Sequence, residues 1–216
     1  MGYGVRVGVR VLGWCAITLV SAGCSYQVDG LPAMPIGEGL LSPPLVNADE
    51  LLLDLERMRG ITGAGEDLTI IPSMDDHYPV DIDLLAKDVP APCRFLFAET
   101  ATFGTAFDDF HKTTYQDPPE RALISQAAAA YPDVQTARQT FDNLVGTTTE
   151  CSQTGFGQVY VGDVTADTES LRTRPGGSCG RDYQLKSVVL VEVTFCAFPE
   201  SVPQIVLTNI VNKAPG

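Results

Sequence analysis

The chain is short of positive charge. Its 216 residues hold 14 Lys and Arg against 27 Asp and Glu, for a formal net charge of −13 at pH 7. Arg6 and Arg10 lie within the first 23 residues, which contain no acid, so the remainder carries 12 basic and 27 acidic side chains. Such an acidic surface repels phosphate backbones and anionic lipid headgroups. We therefore expect neither a nucleic-acid partner nor an electrostatic membrane patch.

The motifs of common cofactor sites and of nucleophilic hydrolases are also missing. There is no C-x-x-C pair, Walker motif or EF-hand pattern, and Gly155-Phe-Gly157 lacks the third glycine of a dinucleotide-binding turn. The segment Gly176–Gly180 fits G-x-S-x-G, but a nucleophile elbow needs a strand before it, a helix after it and a later histidine. Both histidines, His77 and His111, come earlier. The sequence predicts a glycine turn here, no catalytic residue and no cofactor.

Each histidine follows acidic residues. Asp75-Asp76-His77 is followed by Asp81 and Asp83, and His111 ends the segment Asp108-Asp109-Phe110-His111. Carboxylates and imidazoles could bind a divalent metal or shift one another's pKa for acid–base work. Solvated acids at loop and strand ends are the simpler interpretation in so acidic a protein. We therefore assign no metal ligands from the sequence.

The amino-terminal segment has the layout of an export signal. Arg6 and Arg10 precede an uncharged apolar stretch, Val11–Gly23, whose 13 residues are too short to span a bilayer as a helix. Val20-Ser-Ala-Gly-Cys24 resembles a bacterial lipobox, with Ser21 where leucine is usual. This resemblance implies a signal peptide over residues 1–23, cleavage before Cys24, and acyl chains such as palmitate on Cys24. We expect a lipoprotein anchored to the outer face of the cell membrane, with 24–39 as a flexible tether; an uncleaved anchor is the alternative.

Outside this segment the cysteine count is even. Four cysteines remain after Cys15 and Cys24, namely Cys93, Cys151, Cys179 and Cys196. In an exported protein they predict two disulfides, and three pairings are open.

Hydrophobic patterning mixes helices and strands without regular alternation. We predict helices over 42–60, over 132–146 and over 202–211, and from propensity also over the alanine-rich stretch 123–131. We predict strands over 107–115, 156–164 and 187–195, and weaker strands over 67–71 and 79–85. This mixture favours an α+β fold with an antiparallel sheet.

Three stretches resemble the PknH-like extracellular sensor domain of mycobacteria and related actinobacteria. They are Leu40-Leu-Ser-Pro43 with Val46-Asn47; Gln126–Phe141 followed by Cys151; and Cys179-Gly-Arg181 with Val188–Val193 and Cys196. Together they cover about residues 38–214. Thr148 stands where the family usually has tryptophan, and Ser187 where asparagine often opens the last strand.

The resemblance implies more than the patterning does. It implies an antiparallel sheet packed with helices, a cleft between them, and disulfides Cys93–Cys151 and Cys179–Cys196. It also implies that 123–131 is a strand, against the propensity, and that the domain binds a ligand rather than catalysing a reaction. Since the family occurs both on receptor kinases and as free lipoproteins, and the chain holds no kinase segment, we expect the lipoprotein kind.

The sequence thus predicts an envelope lipoprotein whose sensor domain, residues 40–216, binds a small molecule or cell-wall component. A protein–protein interaction module of the envelope is the alternative, and an envelope hydrolase is less favoured. Neither the ligand-binding residues nor the oligomeric state follows from the sequence.

Overall fold

The computed structural model describes residues 46–216, apart from the side chain of Asp83. The predicted signal peptide, Cys24, the tether and the first residues of the sensor domain lie outside the described residues. Between residues 46 and 216, no helix is both long enough and apolar enough to cross a membrane.

Seven strands form one sheet in which every neighbouring pair is antiparallel. They are β1 (Thr69–Asp76), β2 (Asp109–Asp117), β3 (Ala122–Ala130), β4 (Asp163–Ala166), β5 (Ser170–Arg174), β6 (Cys179–Lys186) and β7 (Val189–Cys196). Their order is β1-β2-β3-β7-β6-β5-β4. Two meanders therefore meet where β3 pairs with β7.

Helices cover both faces of the sheet. They are α1 (Ala48–Leu51), α2 (Leu55–Thr62), α3 (Ile82–Leu85), α4 (Glu99–Phe103), α5 (Val134–Ser152), α6 (Gly155–Tyr160) and α7 (Ser201–Lys213), with 3-10 turns at Gly65–Asp67 and Ala91–Leu96. Helices α1, α2 and α7 pack on what we call the first face, and α4, α5 and the second 3-10 turn on the second face.

Successive side chains of a strand point to opposite faces of the sheet, so the strands contribute to a hydrophobic core on each face. In β7, Val191, Val193 and Phe195 point to the first face, and Leu190 points to the second. Full burial of one such side chain stabilises the fold by about 1.5 to 3 kcal/mol. The antiparallel sheet with helices on both faces confirms the predicted α+β fold.

Both disulfides have the pairing that the family resemblance implied. Cys93–Cys151 joins the second 3-10 turn to α5, and Cys179–Cys196 joins the paired ends of β6 and β7. The first therefore ties a helix to the peripheral segment of the second face, and the second closes one end of the sheet.

The alanine-rich segment is a strand, so the propensity-based helix was wrong. Strand β3 lies between β2 and β7, and Ala127, Ala128, Ala129 and Ala130 are all buried. A central strand covered on both faces reads as a continuous apolar run. Burial and pairing on both sides outweigh the preference of alanine for helix.

The predicted helix over 42–60 is interrupted within its described part. Leu52–Asp54 separate α1 from α2, and Asp54 caps α2 by accepting a hydrogen bond from the backbone N–H of Arg57 at 2.8 Å. The buried amide of Gln126 accepts from the N–H of Leu53 at 3.0 Å and donates to its carbonyl at 2.6 Å. These bonds satisfy the backbone where the helix stops.

Two predicted strands were also wrong. Residues 82–85 form α3, and 155–160 form α6 before the short β4. At Gly157 of α6 a Cβ atom would lie 1.7 Å from the carbonyl oxygen of Cys151. The close packing of α6 against the end of α5 needs glycine there, and alternation of apolar residues does not reveal that contact.

Candidate ligand cleft

A cleft of about 510 Å³ lies on the second face of the sheet. Its floor comes from β2, β3, β6 and β7, and its wall comes from β1, the β1–α3 loop, the second 3-10 turn and α4. The lining is predominantly apolar, with Met74, Tyr78, Val80, Leu85, Phe95, Leu96, Phe97, Phe110 and Leu123 among its members. Volume and lining fall in the range of small-molecule sites.

One ion pair lies across the floor. Arg181 of β6 places Nη1 3.1 Å from Glu192 Oε1 on β7, and Thr194 Oγ1 donates to the same oxygen at 2.6 Å. Arg181 Nη2 also donates to the carbonyl oxygen of Leu96 at 2.7 Å. The guanidinium is therefore fixed both to the sheet and to the wall of the cleft.

A second ion pair lies between the sheet and α4 in the same cleft. Lys112 of β2 contacts Glu99 of α4, and both side chains are largely buried. The second carboxylate oxygen of Glu99 accepts a hydrogen bond from the N–H of Val80 at 2.8 Å. Glu99 thus joins α4, the sheet and the loop before α3.

The rim of the cleft is apolar and open to solvent. Tyr78 is 82% exposed and Leu85 is 60% exposed, and Met74 and Phe97 are partly exposed beside them. Paired charges on the floor and apolar groups at the rim suit a ligand that has both polar and apolar parts.

A larger cavity of about 840 Å³ lies elsewhere, beside α1 and the carboxyl-terminal residues. Its lysine, Lys213, donates to the carbonyl oxygens of Glu50 and Leu52 at 3.1 and 2.8 Å. The Lys213 ammonium group therefore links the end of α7 to α1 and the residue after it. We therefore take the cleft, with its two ion pairs, as the candidate ligand site.

The structure brings the two histidine-containing segments together. Asp76 pairs with Lys112 in the β1–β2 ladder, so His77 follows opposite His111, and the two rings stack with centroids 4.3 Å apart. Asp75 and Asp49 contact the His111 ring. Asp108 lines the larger cavity instead, and Asp109 accepts a hydrogen bond from the N–H of Ala48.

The G-x-S-x-G segment lacks the context of a nucleophile elbow. Gly176 and Gly177 have positive φ angles in a turn between two strands, β5 and β6, and Cys179 is in a disulfide. The prediction of a glycine turn is confirmed.

Comparison with known proteins agrees with the fold. The family model for the PknH-like extracellular domain matches residues 46–213. The chain belongs to this family. The crystal structure of the extracellular domain of PknH from Mycobacterium tuberculosis matches with a TM-score of 0.56 and 15% identity, over 77% of this chain and 93% of that one. At that identity the likeness carries the fold alone. No curated protein matches.

The charged residues of this PknH-like cleft were not predicted from the sequence. Glu192 is the only acid within the buried run Val189–Val193, which was the available signal. Arg181 was noticed only as part of the family resemblance. Nothing near Glu99 or Lys112 in the sequence indicated that they would pair.

Proposed function

We propose that this PknH-like domain is a non-catalytic, extracytoplasmic sensor-type module that binds a small molecule or cell-wall fragment in the cleft. The observation that carries the proposal is the pair of largely buried ion pairs, Arg181–Glu192 and Lys112–Glu99, within apolar walls. A ligand with hydrogen-bonding groups can reach these charges while its apolar part covers the rim.

The cleft is held in shape before any ligand arrives. Cys93–Cys151 fixes the second 3-10 turn to α5, and that turn ends at Leu96, which lines the wall together with Phe97. Arg181 holds the carbonyl of Leu96 from the sheet side. Preorganisation of this kind lowers the ordering cost of binding.

We further propose that Cys24 carries the lipid anchor that the lipobox-like segment predicts. Two disulfides and membership of an extracellular-domain family agree with export. Mass spectrometry of the processed amino terminus checks this point. Acylation of Cys24 after removal of residues 1–23 is the expected result, and an unmodified Cys24 contradicts it.

Native mass spectrometry tests the ligand. The full-length protein is isolated from its own envelope, together with the variants Tyr78→Ala and Tyr160→Ala. Both tyrosines are exposed, but only Tyr78 lines the cleft. A co-purified small molecule should be present in wild type and in Tyr160→Ala and reduced several-fold in Tyr78→Ala. Absence of a small-molecule adduct, or equal occupancy in all three proteins, contradicts binding in the cleft.

An envelope interaction module is the second candidate, and α3 is the observation that favours it. Leu84 and Leu85 are 73% and 60% exposed, and Leu85 lies at the rim of the cleft together with Tyr78. Exposed apolar groups in one patch are typical of docking surfaces. Cross-linking in the envelope separates the two candidates, because a docking surface yields a protein adduct that Leu84→Ser removes.

A further inference from the structure

Both histidines of the chain meet one aspartate at the edge of the first face. Asp49 Oδ1 lies 2.9 Å from His111 Nδ1 and 3.4 Å from His77 Nδ1. Asp49 belongs to α1, His77 directly follows β1, and His111 lies near the start of β2. We call Asp49, His77 and His111 the histidine–aspartate cluster.

The distances within the cluster suit a tetrahedral ion. Zinc binds imidazole nitrogen and carboxylate oxygen at about 2.0 to 2.1 Å, so neighbouring ligands of a tetrahedral site lie about 3.3 Å apart. The two distances from Asp49 Oδ1 to the ring nitrogens lie on either side of that value, and one candidate ligand atom from each of the three residues falls within 4.8 Å of the others.

Both ring nitrogens of His111 face carboxylate oxygens. Its Nε2 lies 3.0 Å from Asp75 Oδ1, and its Nδ1 lies 2.9 Å from Asp49 Oδ1. Within residues 46–216 this buried Nδ1 makes no hydrogen bond. A ring nitrogen and a carboxylate oxygen that lie 2.9 Å apart without a hydrogen bond are placed to share one cation.

Asp75 completes the outer layer that metal-binding histidines usually have. Thr113 Oγ1 donates to Asp75 Oδ1 at 2.8 Å, which fixes the carboxylate against the His111 ring. A carboxylate that accepts from the second ring nitrogen sets the tautomer and raises the basicity of the first. Asp49 is positioned too, because the N–H of Ala48 donates to Asp109 Oδ2 at 2.7 Å on the same strand as His111.

We propose that Asp49, His77 and His111 form a binding site for a divalent transition-metal ion of the zinc class, with Asp75 as the positioning residue of His111. Two imidazoles select zinc and its first-row neighbours over magnesium and calcium, which prefer oxygen ligands. Three protein ligands leave one position of a tetrahedral ion open. His77 and Asp49 are each 54% exposed, so an ion can enter from solvent and the His77 ring can turn out of its stack on His111 to direct Nδ1 at it.

The site is distinct from the ligand cleft. His111 and Lys112 are consecutive residues of β2, so their side chains point to opposite faces, and Lys112 lines the cleft. The metal proposal therefore stands whether or not the cleft binds a small molecule.

Calorimetric titration of zinc chloride into the purified full-length chain tests the proposal. The variants are His77→Ala and Asp49→Ala, with Glu50→Ala as the matched control. Glu50 is the exposed acid next to Asp49 on α1 and lies outside the cluster, so its removal changes the net charge equally. Wild type and Glu50→Ala should bind with affinities within about twofold, and His77→Ala and Asp49→Ala should each lose at least tenfold. Zinc bound by Cys15 or Cys24 would not respond to these changes.

Asp75→Asn and a second metal sharpen the test. Loss of an outer-layer partner typically weakens metal binding about 10- to 100-fold, so Asp75→Asn should fall in that range. Cobalt(II) in place of zinc should give the visible absorption of a tetrahedral site, and this absorption should vanish in His77→Ala. No saturable zinc binding by wild type, zinc binding unchanged in both His77→Ala and Asp49→Ala, or equal competition by calcium overturns the proposal.

Discussion

The same central strands present two different surfaces. On the first face β2, β3 and β7 contribute Tyr115, Ile124 and Val193, all buried under α1, α2 and α7. On the second face the neighbouring residues are Lys112, Leu123, Ser125 and Glu192, which line the cleft.

Polar groups serve different purposes on the two faces. On the first face Gln126 and Tyr115 bind the backbone of Leu53, and burial raises the pKa of the Tyr115 hydroxyl to about 12, so the group stays protonated and donates its hydrogen bond. On the second face the ion pairs border open volume. Because buried ion pairs are a weak source of stability, we connect these two pairs with the proposed ligand binding rather than with the stability of the fold.

The largest expected effect comes from the disulfide that supports the cleft. Cys93 and Cys151 are 58 residues apart in the sequence. From loop-closure entropy, their disulfide stabilises the folded state by at most about 4 kcal/mol. The double variant Cys93→Ala/Cys151→Ala should therefore lose up to that amount in urea unfolding. Cys179–Cys196 closes only 17 residues, for about 3 kcal/mol. A larger loss on removal of the second disulfide would show that native-state contacts outweigh loop length.

Substitution of two adjacent residues of β3 compares how much each face contributes to the free energy of unfolding. Ile124 is fully buried on the first face, whereas Leu123 is partly exposed in the cleft. Ile124→Ala should cost about 3 kcal/mol of unfolding free energy, because it leaves a cavity in a packed core. Leu123→Ala should cost less than about 1.5 kcal/mol, since part of its surface is already hydrated. Similar losses in urea denaturation would mean that the cleft is closed in solution.

A smaller effect is expected at Gln126 on the first face. Its side chain makes hydrogen bonds to the backbone of Leu53, which lies between α1 and α2. Gln126→Leu keeps the volume but removes the acceptor for the N–H of Leu53, while Tyr115 still donates to the carbonyl at 2.7 Å. One buried donor left without a partner costs about 1 to 3 kcal/mol. Chemical denaturation should show this loss, and hydrogen exchange should accelerate at Leu53. Unchanged exchange would assign the helix break to Asp54 rather than to Gln126.

The parts of the fold that could be predicted depend on local signals. Helix α7 follows from the periodicity of its apolar residues, and strand β7 follows from its run of β-branched residues. Strand β3 did not follow, since alanine favours helix locally and only pairing with β2 and β7 decides otherwise. The ion pairs and the histidine–aspartate cluster depend on residues brought together from different elements. His77 and His111 were each seen beside acids, but their meeting across β1 and β2 required the register.

The smallest expected effect is a pH dependence at the start of α5, on the second face. Hydrogen bonds from the backbone N–H and the hydroxyl of Thr136 lower the pKa of Asp133, which caps the helix. The folded pKa lies below the unfolded value, so the stabilisation is present above the unfolded value and is lost as the pH falls through the folded one. Asp133→Asn can still cap the helix but does not titrate. Melting temperatures of wild type and this variant should therefore differ most near neutral pH and converge in acid. A difference that persists after the carboxyl is protonated would assign the effect of Asp133 to packing rather than to its charge.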